Sequence, residues 1–370
     1  MGRPREEEGP NPAPTRRLVV QLVNIARLPD RHEFLPEPAP DRHCVPELPA
    51  ASGLTTEIVT IQGQPWNPAA HLHEAFAGLD PLRALRILLT RRKAALICAH
   101  LESAVVLLLL RRLFRLRSPI VVWEVPWSPG WRYREFVNRL AVTRADCSVV
   151  YSSSQVALVK KTFGDATPVA FVPFCVDLDF YRPARPPQSG YIFSTGLDRG
   201  RDFALVLQAT QGMSHPVLIK TGALRFDAAA HPNVTLRTER LGHAAFRELY
   251  AGAAIVVVAT HDTPNACGVT SLMEALAMGR PTIVTDNPAL RDYMPRPEAG
   301  VVVPIGDRAA LRAAILDLLG DPAKAEAMGR KAREFAERHF DPRRHGQAAA
   351  DLFLGIIAAT TAGRARGASE

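Results

Sequence analysis

The chain predicts an α/β protein made of two doubly wound parallel-sheet domains, and three observations carry that expectation. Short apolar runs of strand length alternate with helical periodicities from residue 18 to residue 338. The alternation is broken once, at RPARPPQSG (182–190), which has the proline-rich composition of a domain boundary. With 370 residues, 47% hydrophobic and 22% charged, the chain is long and apolar enough for two ordinary cores.

Residues 1–15, charged and proline-rich, are expected as a disordered tail. They lack the apolar core of a signal peptide, and Glu6 stands where a myristoylation motif needs Ser or Thr. The first domain, 16–184, opens with strand 18–23 (LVVQLV), followed by a candidate strand at 57–61. Strand 94–99, a helix near 101–117, strand 120–123, a helix near 132–143 and strands 148–151 and 169–172 complete it. The second domain, 190–341, reads as strand 191–194, helix 202–209, strands 216–219 and 233–236, helix 243–251 and strand 254–258. Helix 270–279 follows the small-residue turn Ala266-Cys267-Gly268, is capped by Thr270 or Ser271, and is stopped by Gly279 and Pro281. Strands 282–285 and 300–303 and helices 307–319 and 322–338 close the domain. A helix at 342–362 is expected to return to the first domain, and 363–370 to be a second disordered tail.

Composition excludes several classes. The five cysteines (44, 98, 147, 175 and 267) are scattered and without metal-ligand spacing, which argues against a disulfide framework. The longest apolar run, 104–110, is too short to span a bilayer, so a soluble, cytoplasmic protein is expected. No G-x-G-x-x-G follows the first strand, which disfavours a nicotinamide dehydrogenase. The net charge of +8 is concentrated between Arg83 and Arg144, where thirteen arginines and lysines face only Glu102, Glu124 and Glu135. Such an excess suits a phosphate-bearing partner or is simply an arginine-rich surface; the charge alone also suggests nucleic acid, for which no binding motif is present.

In open parallel sheets, ligands bind beyond the carboxyl ends of strands. That rule selects His100, Glu124, Lys220, His261 and Asp262, which two facing sheets would gather at one cleft. Glu274 is a carboxylate among leucines, methionines and alanines. It is either a helix former with its head in water or an acceptor for the hydroxyls of a ligand at the helix N-terminus, such as a ribose. The amides of Gly268, Val269 and Thr270 at that terminus suit an anion. In the loop TGLDRGRDF, Arg199 and Arg201 are placed for bidentate contact with phosphate, with Lys220 as a further cation.

These stretches resemble a known family. FVPFCVDLDFYRP (171–183), STGLDRGRDF (194–203), ACGVTSLMEALAMGRPTIVTD (266–286) and residues 301–340 are similar, in order, to the donor domain of retaining GT-B glycosyltransferases of family 4. The resemblance implies two Rossmann-like domains facing a cleft, the first binding an acceptor and the second a nucleotide-diphosphate sugar. It assigns Glu274 to the ribose and Arg199 or Arg201 to the diphosphate, with no metal or other cofactor required. Lys220 and the amides of 268–270 would share the leaving phosphate's charge, and Glu124 and His100 would position the acceptor hydroxyl. Four departures are visible, one of them Cys175 where glycine is usual. Ala266 stands where the family has the first carboxylate of its Glu-x7-Glu pattern, leaving Asn265 as the nearest polar side chain for the sugar hydroxyls. Asn24-Ile25-Ala26-Arg27 replaces the glycine-rich loop after the first strand, and Glu124 replaces a histidine. A catalytically inactive subunit that binds a nucleotide or a partner is therefore the rival expectation.

Three further features complete the reading. Asp177-Leu178-Asp179 looks like a manganese-binding DxD but lies in the interdomain segment, where it is read as structural. The aromatic group Trp123, Trp127, Trp131 and Tyr133 around Glu124 suits either sugar or lipid packing or plain core. RRLFRLR (111–117), expected on a helix, suits peripheral contact with an anionic membrane at its inner face. The acceptor is accordingly expected among glycans, lipid-linked acceptors and small molecules.

Overall fold

The computed structural model describes residues 17–23, 47–60, 79–125, 132–183, 190–222, 224–239 and 241–367. The apolar runs pair into two six-stranded sheets, every pairing of which is parallel. The first contains β1 (Arg17–Val23), β2 (Leu54–Thr60), β3 (Leu96–Ala99), β4 (Ile120–Trp123), β5 (Cys147–Val150) and β6 (Val169–Phe171), in the order β2-β1-β3-β4-β5-β6. Its connections carry α1 (Pro81–Thr90), α2 (Leu101–Leu110), α3 (Arg132–Arg144) and α4 (Ser153–Phe163). Every residue of β3, β4 and β5 is buried, as strands covered on both faces must be.

The second sheet contains β7 (Tyr191–Thr195), β8 (Val217–Lys220), β9 (Val234–Arg237), β10 (Ala253–Val258), β11 (Thr282–Thr285) and β12 (Val301–Val303). Its order is β12-β11-β10-β7-β8-β9. α5 (Phe203–Thr210), α6 (His243–Ala251), α7 (Val269–Ala277), α8 (Arg308–Gly320) and α9 (Pro322–His339) surround it, and α10 (Pro342–Gly367) follows. Aspartates start four of the helices in the two units: Asp80, Asp202, Asp307 and Asp321 accept the amides of Arg83, Leu205, Ala310 and Lys324 at 2.9 to 3.1 Å.

Four elements differ from expectation. Helices α1 and α4 are absent from the sequence reading. In α1 the inner face includes Arg83, a cation that breaks the apolar pattern but is held by Asp80 (2.8 Å), the Val59 carbonyl (3.2 Å) and Ser103 Oγ (2.7 Å). The helix expected over 101–117 stops at Leu110, and RRLFRLR forms turns instead. Arg115 adopts a positive φ of 49°, Leu116 turns inward, and Ser118 Oγ donates to the Ala94 carbonyl at 2.6 Å, drawing the chain back towards β4. Arg111 is committed to Asp146 at 2.8 Å. Finally, α10 runs five residues beyond 362 into the stretch expected as a tail, where Ala362, Arg364, Ala365 and Arg366 favour helix over coil. Trp127, Trp131, Asn24–Arg27 and residues 1–15 lie outside the described residues.

A seam of aromatic and polar contacts joins the two units. Tyr293 Oη donates to the Tyr151 carbonyl (2.6 Å) and accepts from the Phe174 amide (2.9 Å), while the rings of Tyr151 and Phe174 stack at 3.6 Å. Asp292 accepts the Ser153 amide at 2.7 Å, capping the first turn of α4 from across the seam. Beyond the seam, α10 lies against the first sheet: Phe353 meets Trp123 at 5.9 Å, and His345 Nδ1 is 2.7 Å from the Pro173 carbonyl. Among the described residues no helix is long and apolar enough to cross a membrane.

Candidate active site

The order of the second sheet reverses direction between β7 and β10, so the loops leaving these two strands diverge and open a crevice at their carboxyl ends. The loop after β7 (196–202) and the loop after β10 (259–268) are tied at their bases. The Asp202 amide donates to Ala259 (2.9 Å), and the His261 amide donates to Gly200 (2.8 Å). Asn287 clamps the second loop from below, giving its Nδ2 protons to Thr260 Oγ1 and the His261 carbonyl at 3.1 and 3.0 Å.

Above these loops lies a cleft of about 310 Å³, large enough for a nucleotide-sized ligand. One wall is Asp198 and residues 265–271; the other includes Glu124, Tyr151, Gln155 and Phe174 from the first unit. Asn265, Gly268, Val269, Thr270 and Glu124 thus line one cleft. The Val269 amide donates to the Ala266 carbonyl at 3.1 Å. Glu124 holds a left-handed backbone, φ 62°, unusual for a residue with a side chain; strained positions of this kind concentrate at functional sites. His100 stands behind it, Nδ1 at 3.8 Å from its carboxylate, too far for a hydrogen bond.

Arg201 is the unusual member. Its guanidinium is buried beneath the cleft wall, and none of its three nitrogens has a hydrogen-bond acceptor. The pocket that holds it depends on two glycines: a Cβ at Gly196 would come within 2.9 Å of Arg201 Cγ, and one at Gly268 would collide with Nη1. Gly268 also has φ 82°, a conformation that glycine adopts without strain. Burial holds the guanidinium below its usual pKa, opposed by the carboxylate of Asp198. A buried cation without an acceptor is costly unless an anion completes it.

Glu274, expected at the ribose, is not on the cleft wall. It faces into the body of the second unit, accepting from Tyr250 Oη at 2.7 Å and bonded also to Tyr181. Burial pushes its pKa up to about 7 from the ordinary 4.5, against the pull of the two tyrosines. The folded protein therefore holds a proton that the unfolded chain releases. The resulting stability is complete below about pH 4.5 and is lost as pH rises to about 7, a decline on the order of 3 kcal/mol. Glu274→Gln keeps the shape and removes the titration, so its unfolding free energy in urea should stay flat where the parent's falls. An unchanged slope between about pH 5 and about pH 8 would exclude Glu274 as its source.

The other expected cations are dispersed. Arg199 is exposed on the 196–202 loop. Lys220 is buried at the end of β8, off the cleft wall, and its charge helps to lower the pKa of Glu239. His261 is exposed, with Nδ1 at 3.4 Å from Asp202. Asp177 accepts the amides of Asp179 and Phe180 at 3.1 and 3.0 Å, a turn cap in keeping with its structural reading. Among the described residues no group of three or more His, Cys, Asp or Glu is placed to hold a metal ion. The sequence reading passed over Asp198 and Ser271 on the near wall, and Tyr151 and Gln155, which only the meeting of the two units brings to the cleft.

Residues 205–321 match the family model described as glycosyl transferases group 1. Sucrose-phosphate synthase from Thermosynechococcus elongatus superposes with a TM-score of 0.69 at 19% identity, over 93% of this chain and 100% of that one. HepE of Anabaena in complex with UDP-glucose superposes at 0.62 and 15% identity, over 94% and 99%. A glycosyltransferase from Rickettsia africae gives 0.62 at 13%, over 92% and 99%. The fold is GT-B. No curated protein matches the chain. In GT-B terms, the cleft just described is the space between the two Rossmann-like units, and Arg201 lies on the side of the second.

Proposed function

We propose that the protein is a retaining glycosyltransferase that moves a sugar from a nucleotide-diphosphate sugar to an acceptor hydroxyl. The observation that carries this reading is Arg201, a buried guanidinium without an acceptor beneath Gly268, at the start of a helix whose first turn lines the cleft. A diphosphate on that wall would supply the missing acceptor, with the amides of Gly268 and Thr270 and the exposed Arg199 sharing its charge, and the buried Lys220 contributing only at a distance. These cations and dipoles can stabilise the leaving diphosphate without a metal. The acceptor hydroxyl approaches from the wall that carries Glu124, supported by His100, and attacks the face from which the phosphate departs, giving up its proton to that phosphate. Asn265 meets the sugar hydroxyls in place of the carboxylate missing at Ala266. Glu274 braces the Arg201 shelf through Tyr250 and reaches a ribose only if Tyr250 yields.

The HepE structures hold UDP and UDP-glucose, which makes UDP the first nucleotide to test. Calorimetric titration with UDP, GDP, ADP and dTDP should find one that binds at least tenfold more tightly than its own nucleoside. Equal affinity for diphosphate and nucleoside throughout the panel would sink the reading. A diphosphate that binds while its sugar esters are neither hydrolysed nor transferred would favour the inactive subunit, for which the alanine at 266 is the supporting observation.

A further inference from the structure

Among the described residues, eleven large apolar side chains are exposed, and seven of them lie on one layer of the first unit, formed by α1, the end of α2 and α3. On α1, Leu82, Leu85 and Leu89 are spaced at i, i+3 and i+7, so they share the stripe opposite the buried Ala84, Ile87 and Leu88. Leu109 and Leu113, the latter 75% exposed, stand where α2 ends, while Tyr133 and Phe136 project from α3. Helices α1 and α2 pack together, as do α2 and α3, so these side chains belong to one surface. Scattered singly, exposed leucines need no explanation; gathered like this they do.

The same layer is strongly cationic. Arg92, Lys93, Arg112, Arg115 and Arg117 are exposed around the leucines. In sequence, α1 contains no acid, and α2 and α3 contribute only Glu102 and Glu135. Arg111 and Arg91 are neutralised by Asp146 and Glu57, so the excess is not theirs. Leucines flanked by arginines on a flat helical layer have the make-up of an interfacial surface, in which apolar groups enter the acyl boundary and cations meet anionic headgroups.

We propose that this layer docks the protein on an anionic lipid bilayer. The proposal builds on the lipid-linked acceptor among those considered above, but the surface is formed by the outer faces of helices and includes none of the cleft residues. Docking and nucleotide binding can therefore be measured independently. Neither the helical reading of RRLFRLR nor Arg111 is needed: the turn geometry leaves Arg112, Leu113 and Arg115 exposed together.

The test is co-sedimentation of the full chain with vesicles of phosphatidylcholine, alone or with one third phosphatidylglycerol, at low and high salt. The protein should pellet with the anionic vesicles only, and should be released as salt rises. Replacing Lys93, Arg112 and Arg115 by glutamate should weaken binding about 100-fold or more. Leu85→Ser with Leu89→Ser and Leu113→Ser should weaken binding at high salt as well, since the apolar contribution is not screened. UDP affinity, if present in the parent, should be unchanged in both variants. Equal recovery in the supernatant with both vesicle types would overturn the proposal. So would folded leucine variants that sediment like the parent, or a doubled solution mass that these variants abolish while vesicles remain unbound, which would make the layer a self-association face. Should the leucine variant fail to fold, the charge variant, confined to exposed side chains, decides alone.

Discussion

Arg201→Met is expected to have opposite effects on the empty protein and on its ligand. Without nucleotide, removing a buried cation that lacks an acceptor should raise stability by about 1–3 kcal/mol, the cost of leaving such a group unsatisfied. Methionine retains the unbranched stem that fills the space beneath Gly196, so little packing is lost. With UDP or whichever diphosphate binds, affinity should fall by about 1.5–3 kcal/mol, roughly ten- to a hundredfold, because a charge-assisted contact is lost. The bare nucleoside should be unaffected. Thermal melts with and without ligand, together with calorimetry, read both effects. A variant that is less stable than the parent and binds the diphosphate equally well would reduce Arg201 to a structural residue.

Gly268→Ala should damage both properties together. Its φ of 82° costs an L-residue about 1–2 kcal/mol, and the new methyl group would lie on Arg201 Nη1 and within 3.0 Å of Val258 Cγ1. Overpacking of this kind adds about 1–3 kcal/mol more. Diphosphate affinity should drop at least tenfold as the guanidinium is pushed from beneath the wall. The double variant with Arg201→Met is the sharper measurement: half of the collision disappears, so the two costs should not add. Strict additivity in a double-mutant cycle would mean that Gly268 and Arg201 do not act through each other.

Much of the architecture was readable from residue order. Parallel strands covered on both faces appear as short, wholly apolar runs, and those at 120–123, 254–258 and 282–285 are unmistakable. Helix α7 was legible because Gly268 and Gly279 punctuate it at both ends. Where the reading failed, a tertiary contact had overridden a local pattern. Arg83 hides α1 because its partners on β2 and α2 make burial of a cation tolerable. RRLFRLR has helical composition, but Leu116 and Ser118 gain more by turning inward. The cleft shows the same division. Asn265 to Thr270 could be found from turn chemistry. In contrast, the pairing of Glu274 with Tyr250, 24 residues away, and the burial of Arg201 leave no local trace. Composition distinguishes an arginine from a leucine, but not a solvated arginine from one waiting beneath a helix.

The position of α10 also bears on how the protein is made. Phe353 and His345 complete the aromatic cluster around Trp123, a residue of the first sheet. A ribosome that has finished β6 must add roughly 180 residues before Phe353 exists, about 10–40 s at common rates of synthesis. Throughout that interval the face of the first sheet that carries Trp123 lacks the cover that α10 supplies. A chain truncated at the seam would leave Trp123 without its contacts to His345 and Phe353 for good.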